Sequence, residues 1–344
     1  MTKAPLSINT YGIRIGGPII KNKLFFFVNY EQTKEIRPGQ LQKAATPERP
    51  FDPDNSPDVN RPLATELDMI SQYLKDEYGY ETGPYQGYDN ESNSNKFTAR
   101  LDWNINQNHR INVRYSQVEI KSPSFPSTSV SQSGLPNPVH NRQSNFAMFF
   151  QNAGYFQEAN FYSLAVEANS LFGKVANTFR ATYTHQNDPR SSGGGVFPFV
   201  DILDGSGTQS TYTSFGYELF TYGNLRYVTT YSIVDYATLT SGIHTITAGV
   251  QADFQKTKNG FQRFGTGFYT FNSWDDFVNG ENPINYAITY SLAPGFVQAF
   301  PNIGYNQYSV YGQDEMTINK RLKLTAFLPR LHGNAAQRGH ALPT

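Results

Sequence analysis

Lys96-Phe97-Thr98-Ala99-Arg100-Leu101-Asp102-Trp103-Asn104 alternates without a break: Phe97, Ala99, Leu101 and Trp103 fall on one side of an extended chain, and Lys96, Thr98, Arg100, Asp102 and Asn104 on the other. A strand divided in this way needs a different environment on each face. After the polar break Asn106-Gln107-Asn108-His109, Ile111, Val113 and Tyr115 oppose Arg110, Asn112, Arg114 and Ser116, so the two runs read as a hairpin.

The unit recurs along the chain. Tyr162, Leu164, Val166 and Ala168 alternate with Ser163, Ala165, Glu167 and Asn169; after a Gly173-Lys174 turn, Phe179, Ala181 and Tyr183 alternate with Arg180, Thr182 and Thr184. A third copy turns at Ser241-Gly242 into Ile246, Ala248, Val250, Ala252 and Phe254, and its first strand, Tyr227 to Leu239, alternates less cleanly. Weaker hairpins turn between Pro18 and Lys23 and near Asn319 to Arg321. These make about ten strands, several near the 9 to 11 residues a tilted strand needs to cross a bilayer. Short turns alternate with long connections, Glu35 to Asn95, Ile120 to Ala159, Gln186 to Asn224 and Thr257 to Gly304, rich in Gly, Pro, Ser, Asn and Asp. Connections this long are uncommon in compact domains, whereas membrane barrels join strands by tight turns at one rim and long loops at the other.

The expected fold is therefore all-β: a partial transmembrane antiparallel β-barrel of about ten strands, with long extracellular loops containing short helices. One helix is expected where Leu63, Leu67, Ile70 and Leu74 recur at helical spacing with Pro62 at the first helical position, and a second at Ser273, capped by Ser-x-x-Asp. In hydrocarbon an unpaired amide costs several kcal/mol, so strands span only as a closed ring. Phe97, Leu101, Trp103, Ile111, Val113 and Tyr115 are expected to face lipid, and Arg100, Asp102, Arg110, Arg114, Glu167 and Arg180 a wet lumen. A soluble β-sandwich or propeller is the competing fold, since half-buried strands alternate too.

Composition agrees with the barrel. Charged residues are 16% of the 344, against roughly 25% in soluble domains, while 26 Phe and 23 Tyr contribute to 15% aromatics. Lys plus Arg equals Asp plus Glu at 28 each, so no basic field exists to gather nucleic acid. The absence of cysteine excludes disulfides, thiolate zinc sites and a Cys nucleophile. The N-terminus, Met1-Thr-Lys-Ala-Pro-Leu-Ser7, has no apolar core and reads as no secretory signal, so an exported barrel implies a longer precursor.

Gly16-Gly17-Pro18-Ile19-Ile20-Lys21-Asn22-Lys23-Leu24-Phe25-Phe26-Phe27 resembles the early barrel of TonB-dependent receptors, specifically the Oar-like group. Similar segments follow in order: Asn95 to Trp103, Gly242 to Gly249, and Tyr311-Gly312-Gln313-Asp314-Glu315. The resemblance implies an outer-membrane location, a barrel of about 22 strands around an N-terminal plug, and energy drawn from the TonB complex for uptake of a nutrient whose identity stays open. The chain departs from the family where Met316 replaces a Trp, where no plug or TonB box precedes Leu6, and after Thr325, where Ala326 to Gly333 resembles no barrel segment. Residues 1–325 are thus expected to be a partial receptor barrel and 326–344 a non-barrel tail of a truncated or frame-shifted product. Outer-membrane lipid would be its partner, with the TonB complex engaged only by the full-length protein. A passive porin or adhesin-like barrel, and a soluble carbohydrate-binding β-protein, are the alternative functions.

No catalytic constellation stands out, so the chain reads as a non-enzyme without cofactor or metal. His109 and His244 read as ordinary polar positions beside turns, and Ser191-Ser192-Gly193-Gly194-Gly195 as a mobile loop. Asp52, Asp54, Asn55 and Asp58 lack the glycine and distal Glu of an EF-hand. Tyr78, Tyr80, Tyr85 and Tyr88 are the candidate substrate-contacting loop residues, since their rings can stack on a ligand, although such rings also pack loops against themselves.

Overall fold

The computed structural model describes residues 6–129 and 138–338. In chain order the elements are β1 (Ser7–Ile20), β2 (Leu24–Pro38), β3 (Lys43–Ala45), β4 (Val59–Leu63), α1 (Ala64–Tyr78), β5 (Asp89–Asn104), β6 (His109–Ser124), β7 (Met148–Phe149), β8 (Tyr155–Phe172) and β9 (Val175–Ser192). They continue as β10 (Phe199–Leu203), β11 (Thr211–Phe215), β12 (Leu225–Ser241), β13 (His244–Gly260), β14 (Phe268–Phe271), α2 (Trp274–Val278), β15 (Asn285–Ala287), β16 (Asn302–Asn319) and β17 (Leu322–Arg338). The long strands form one ten-stranded sheet, β1-β2-β5-β6-β8-β9-β12-β13-β16-β17, in which all neighbours run antiparallel. We call it the wall. It is an open strip: among the described residues β1 and β17 end the order and do not pair with each other.

Tight turns gather at one rim and long connections at the other, as the hairpin pattern predicts. Gly173 and Gly242 carry φ of 63° and 60° at two-residue turns, and Asn22 carries 63° in the three-residue turn between Ile20 and Leu24, the left-handed conformation such tight hairpins use. The less regular Tyr227 to Leu239 stretch is a full strand, because β9 and β13 hold it by continuous ladders on both sides.

Pairing register divides the wall into two faces. Leu24, Trp103, Ile111, Ala168 and Phe179 are successive cross-strand partners, as are Phe26, Leu101, Val113, Val166, Ala181 and Ile233. On the other face Asp102, Asn112, Glu167 and Arg180 succeed one another. Leu101 and Trp103 are 46% and 48% exposed, so their stripe faces no solid protein interior. Asp235 also lies on the apolar face, opposite Phe179, and Asn177 Nδ2 of the same face donates to it at 2.7 Å.

The strands are longer than the alternation predicts, 14 to 18 residues. Sixteen residues of β5 span roughly 50 Å at ~3.4 Å each, about 35 to 40 Å of height once tilted, whereas an apolar barrel band is about 25 Å tall. The excess lies at the long-loop rim. There the apolar face turns polar, with Lys34–Glu91 at 2.6 Å and Lys121–Glu158 at 3.9 Å in place of rings.

The last strand, β17, begins at Leu322 and runs past Thr325. β17 pairs with β16 as far as Ile303 opposite Arg338. Backbone pairing with the free edge of β16 needs no particular side-chain pattern.

The long connections do more than carry two helices. β15-β14-β10-β11-β7 form a second, five-stranded sheet, and β3 and β4 a small parallel pair. α1 buries Leu67, Ile70 and Leu74 against Met148, Phe150, Val200, Ile202 and Phe215. An adjoining cluster joins Phe149, Ala153, Phe199, Leu219, Phe264 and Phe268. This assembly, the cap, holds nearly all the fully buried apolar residues, because the wall presents one layer with no second layer behind it. α1 begins after Leu63 and ends at Gly79 with φ 63°; Pro62 lies in β4, before the cap residue rather than inside the helix. α2 starts as its pattern predicts, with Ser273 Oγ accepting from the Asp276 amide at 3.2 Å.

Candidate functional site

The polar face is crossed by side-chain hydrogen bonds. Arg100 forks onto Asp102 at 2.6 to 3.0 Å, Arg180 donates to Glu167 Oε2 at 2.5 to 2.9 Å, and Asn169 Nδ2 donates to Glu167 at 3.0 Å. Ser232 and Gln251 both donate to Asp253, at 2.5 and 2.8 Å. Of the six charged residues singled out for a lumen, Arg100, Asp102, Glu167 and Arg180 thus join two ion-paired groups. Arg110 and Arg114 share their face by register, opposite Asn169 and Ala165. The six apolar residues singled out for lipid share the opposite face, where Phe97 meets Tyr115 with ring centroids 6.1 Å apart.

The cap sits over the outer end of the polar face. Glu35, Asn90, Ser92 and Ser122 line one side of a cavity of about 700 Å³, and Asn60, Gln143, Ala147 and Phe149 of the cap line the other. β2 ends at Pro38 with Gly39 beneath the Tyr88 ring, where a Cβ would approach ring carbons to 2.0 Å, so only glycine fits. That contact holds the first long connection against the rim, with the Gly39 amide donating to the Tyr88 carbonyl at 2.8 Å.

Two groups in the cavity lining were not legible in the sequence. Arg142 and Asp201 are each 1% exposed and joined by a forked pair at 2.6 and 2.8 Å. Arg142 also donates to the carbonyls of Ser127 and Ser129 at 2.5 and 3.1 Å, and its guanidinium carbon lies 4.9 Å from the Phe199 ring centre. A desolvated pair stands only when its remaining donors are satisfied in this way. Asn60, 4% exposed, donates through Nδ2 to the Ala147 carbonyl at 2.8 Å, while its buried Oδ1 has no partner. An acceptor left unpaired costs about 1–3 kcal/mol. Neither signal was available from spacing: an isolated Arg and an isolated Asn in polar loops look like solvated residues.

The four candidate tyrosines separate. Tyr80 is 4% exposed, stacks on Phe197 at 4.5 Å, and its hydroxyl accepts from the Gly216 amide at 3.2 Å, so it packs inside the cap. Tyr85 donates to Asp68 at 2.9 Å, and burial together with that carboxylate pushes its hydroxyl up to about 12. Burial likewise pushes Tyr88 up to about 12. Tyr78 alone is exposed, at 53%, edge-on to Phe197. Tyr80 is thus buried, while Tyr85 and Tyr88 are half-buried.

The glycine-rich run is a close-packed joint rather than a free loop. A Cβ on Gly193 would meet Asn152 Oδ1 at 2.7 Å, and one on Gly194 the Tyr80 hydroxyl at 3.1 Å. Asp52 accepts from Asn55 Nδ2 at 2.8 Å and Asp58 from Arg49 at 2.6 Å, so these carboxylates are held locally. His109 packs on Phe172 at 5.2 Å and His244 Nδ1 lies 2.7 Å from Asp314. A second cleft, about 530 Å³, opens between α1 and α2 on the cap. There Arg61 pairs with Asp204, beside Met69, Tyr212 and Trp274. Burial pushes the Asp204 carboxyl up, but Ser206 and Arg61 outweigh it and hold it below the usual carboxylate range.

The profile of a family described as "Outer membrane beta barrel domain" matches residues 1–326. Among solved structures, the outer membrane transporter YddB from Escherichia coli superposes with a TM-score of 0.59 at 9% identity, over 96% of this chain and 34% of that one. The siderophore receptor PirA from Acinetobacter baumannii gives 0.46 at 11% identity, over 96% of this chain and 37% of its own. At such identities the likeness is one of fold. The chain spans about a third of the length of these two proteins. No curated protein sequence matches it.

Proposed function

Because this chain belongs to the outer membrane β-barrel family, whose members are typically non-enzymatic, we propose that it forms part of the wall and loop cap of a TonB-dependent receptor that takes up a nutrient across the outer membrane. The observation that carries this reading is the placement of the cap over the outer end of the polar, hydrogen-bonded face. A solute entering from outside would meet the cap first and then a corridor of paired Arg, Asp, Glu and Asn side chains. The apolar stripe of Phe97, Leu101, Trp103, Ile111, Val113 and Tyr115 meets lipid in this reading, and Arg100, Asp102, Arg110, Arg114, Glu167 and Arg180 meet the lumen or a plug.

The strip has two free edges, so further strands complete the ring in the full-length protein. A plug and TonB box belong to that longer protein, as does coupling to the energy source. The Oar-like resemblance of Gly16 to Phe27 and Asn95 to Trp103 supports this assignment over a passive porin. The test is uptake by cells carrying the full-length protein, with and without a functional TonB complex. Loss of uptake when TonB is removed supports the proposal, and uptake indifferent to TonB returns a passive porin.

A further inference from the structure

On β13 the residues of the apolar face run Ile246, Ala248, Val250, Ala252 and Phe254, and then change abruptly to Lys256 and Lys258. Phe254 meets Tyr308 with ring centroids 5.8 Å apart, and Tyr183 meets Tyr231, the cross-strand partner of Phe254, at 5.1 Å. Rings at the end of an apolar band mark the level at which a barrel wall leaves hydrocarbon. The long connections lie on this side, so the two lysines stand at the headgroup level of the outer leaflet. As alternate residues of one strand they share a face about 7 Å apart.

The neighbours leave this charge uncompensated. Register sets His185, Thr229 and Gly304 on the row of Lys256, and Asn187, Tyr227 and Asn302 on the row of Lys258, with no carboxylate in either set. The nearby Asp188 and Asp253 belong to the polar face, where Arg226 and the donors Ser232 and Gln251 engage them. Among the described residues neither lysine makes an ion pair. Lys258 Nζ instead lies 4.4 Å from the Phe300 ring centre and 5.7 Å from that of Tyr227, contacts that orient an ammonium without cancelling its charge. The other half of the same rim is built differently: Lys34 and Lys121 are matched by Glu91 and Glu158.

An anion supplies what the two ammoniums lack, and at the height of an aromatic girdle the molecule that brings an anion with apolar chains beneath it is a lipid. We propose that β12, β13 and β16 hold a phosphorylated glycolipid of the outer leaflet, its phosphate between Lys256 and Lys258 and its acyl chains along Ile233, Val250, Ala252 and Tyr308. The inference rests on the lipid-facing assignment of the apolar side, and TonB dependence does not bear on it.

The test uses the full-length protein, stripped of lipid in a nonionic detergent and titrated in mixed micelles with diphosphorylated lipid A and with the same glycolipid lacking both phosphates. Native mass spectrometry reads the bound lipid. Saturable binding of the phosphorylated form, about tenfold or more tighter than the dephosphorylated one, is expected. Lys256→Ala with Lys258→Ala should weaken it about tenfold, and should flatten its dependence on salt. Lys256→Arg with Lys258→Arg keeps both charges and should retain binding. Lys34→Ala with Lys121→Ala, on the matched half of the rim, should change it no more than about twofold. Retained heat-modifiable gel mobility shows that each variant is folded. Equal binding of the two lipids, indifference to loss of Lys256 and Lys258, an equal loss from the Lys34 and Lys121 variant, or displacement of the lipid by millimolar inorganic phosphate overturns the inference. If any of these occurs while an arginine at Leu101 still obstructs folding into vesicles, the lipid-facing assignment stands and this site alone is removed.

Discussion

In the wall, strands adjacent in space are adjacent among the long strands of the sequence; in the cap, local pairs such as β10–β11 and β14–β15 are joined into one sheet by pairings between distant segments. β8 and β9 are joined by a two-residue turn, whereas β10 pairs in parallel with β14, Phe199 opposite Phe268, and β11 with β7, Thr213 opposite Met148. The wall is therefore stabilised by ladder upon ladder of local pairing and depends little on any one side chain. The cap draws together segments from four separate connections, and a few buried groups hold them. One region should tolerate substitution that the other does not.

The sharpest way to break that contrast is Asp201→Ala. It leaves Arg142 buried without its carboxylate and should cost the cap about 3–5 kcal/mol. Limited proteolysis of the full-length protein should then cut the long connections while the heat-modifiable mobility of the barrel persists. Joint loss of both would mean that cap and wall form one cooperative unit. Replacing both partners at once, Arg142→Met together with Asp201→Leu, should restore most of the resistance, since matched apolar groups dispense with the desolvation of both charges.

A second substitution addresses the faces. Leu101→Arg should cost roughly 2–4 kcal/mol in folding into lipid vesicles if that side meets hydrocarbon. Thr182→Arg, on the opposite face, should cost far less. Equal costs would remove the lipid and lumen assignments together.

Alkali separates the regions next. Tyr85 and Tyr88 titrate near about 12 in the folded cap, against about 10 for an unfolded tyrosine. Their folded values are raised, so the stability they contribute is complete below pH about 10 and is lost as pH rises through about 12. Tyrosinate absorbance followed together with proteolysis should show the cap loosening in that window. Tyrosines that ionise at an ordinary pH with the cap intact would contradict it.

The smallest effect belongs to the wall. Lys96 reaches Glu31 at 2.7 Å with both side chains well exposed, and Lys96→Ala should change stability by less than about 1 kcal/mol.

The same contrast explains what could be read from sequence. Wall strands announce themselves because a period of two over Lys96 to Asn104 or Tyr162 to Asn169 is long enough to exclude a helix, and because tight turns fix the partner. Cap strands are two to five residues long. Phe199-Val-Asp-Ile-Leu203 buries all five side chains, so it shows no alternation, and one of its two partners, β14, lies far along the chain. α1 was legible from Leu67, Ile70 and Leu74, yet its packing surface was not. For the candidate site, the polar face came from alternation, while Asn60 and Arg142 depend on which loops meet, a relation that no local pattern encodes.

The exposed flank of β1 has a consequence for how such a protein enters its membrane. About half of its 14 residues direct N–H and C=O groups outward with nothing to receive them. In water these groups are solvated at little cost; in hydrocarbon each is worth several kcal/mol. A half-zipped strip thus meets a rising barrier as it sinks, one that vanishes only when the final seam is sewn. Burial in the bilayer and sealing of the circle become a single cooperative step.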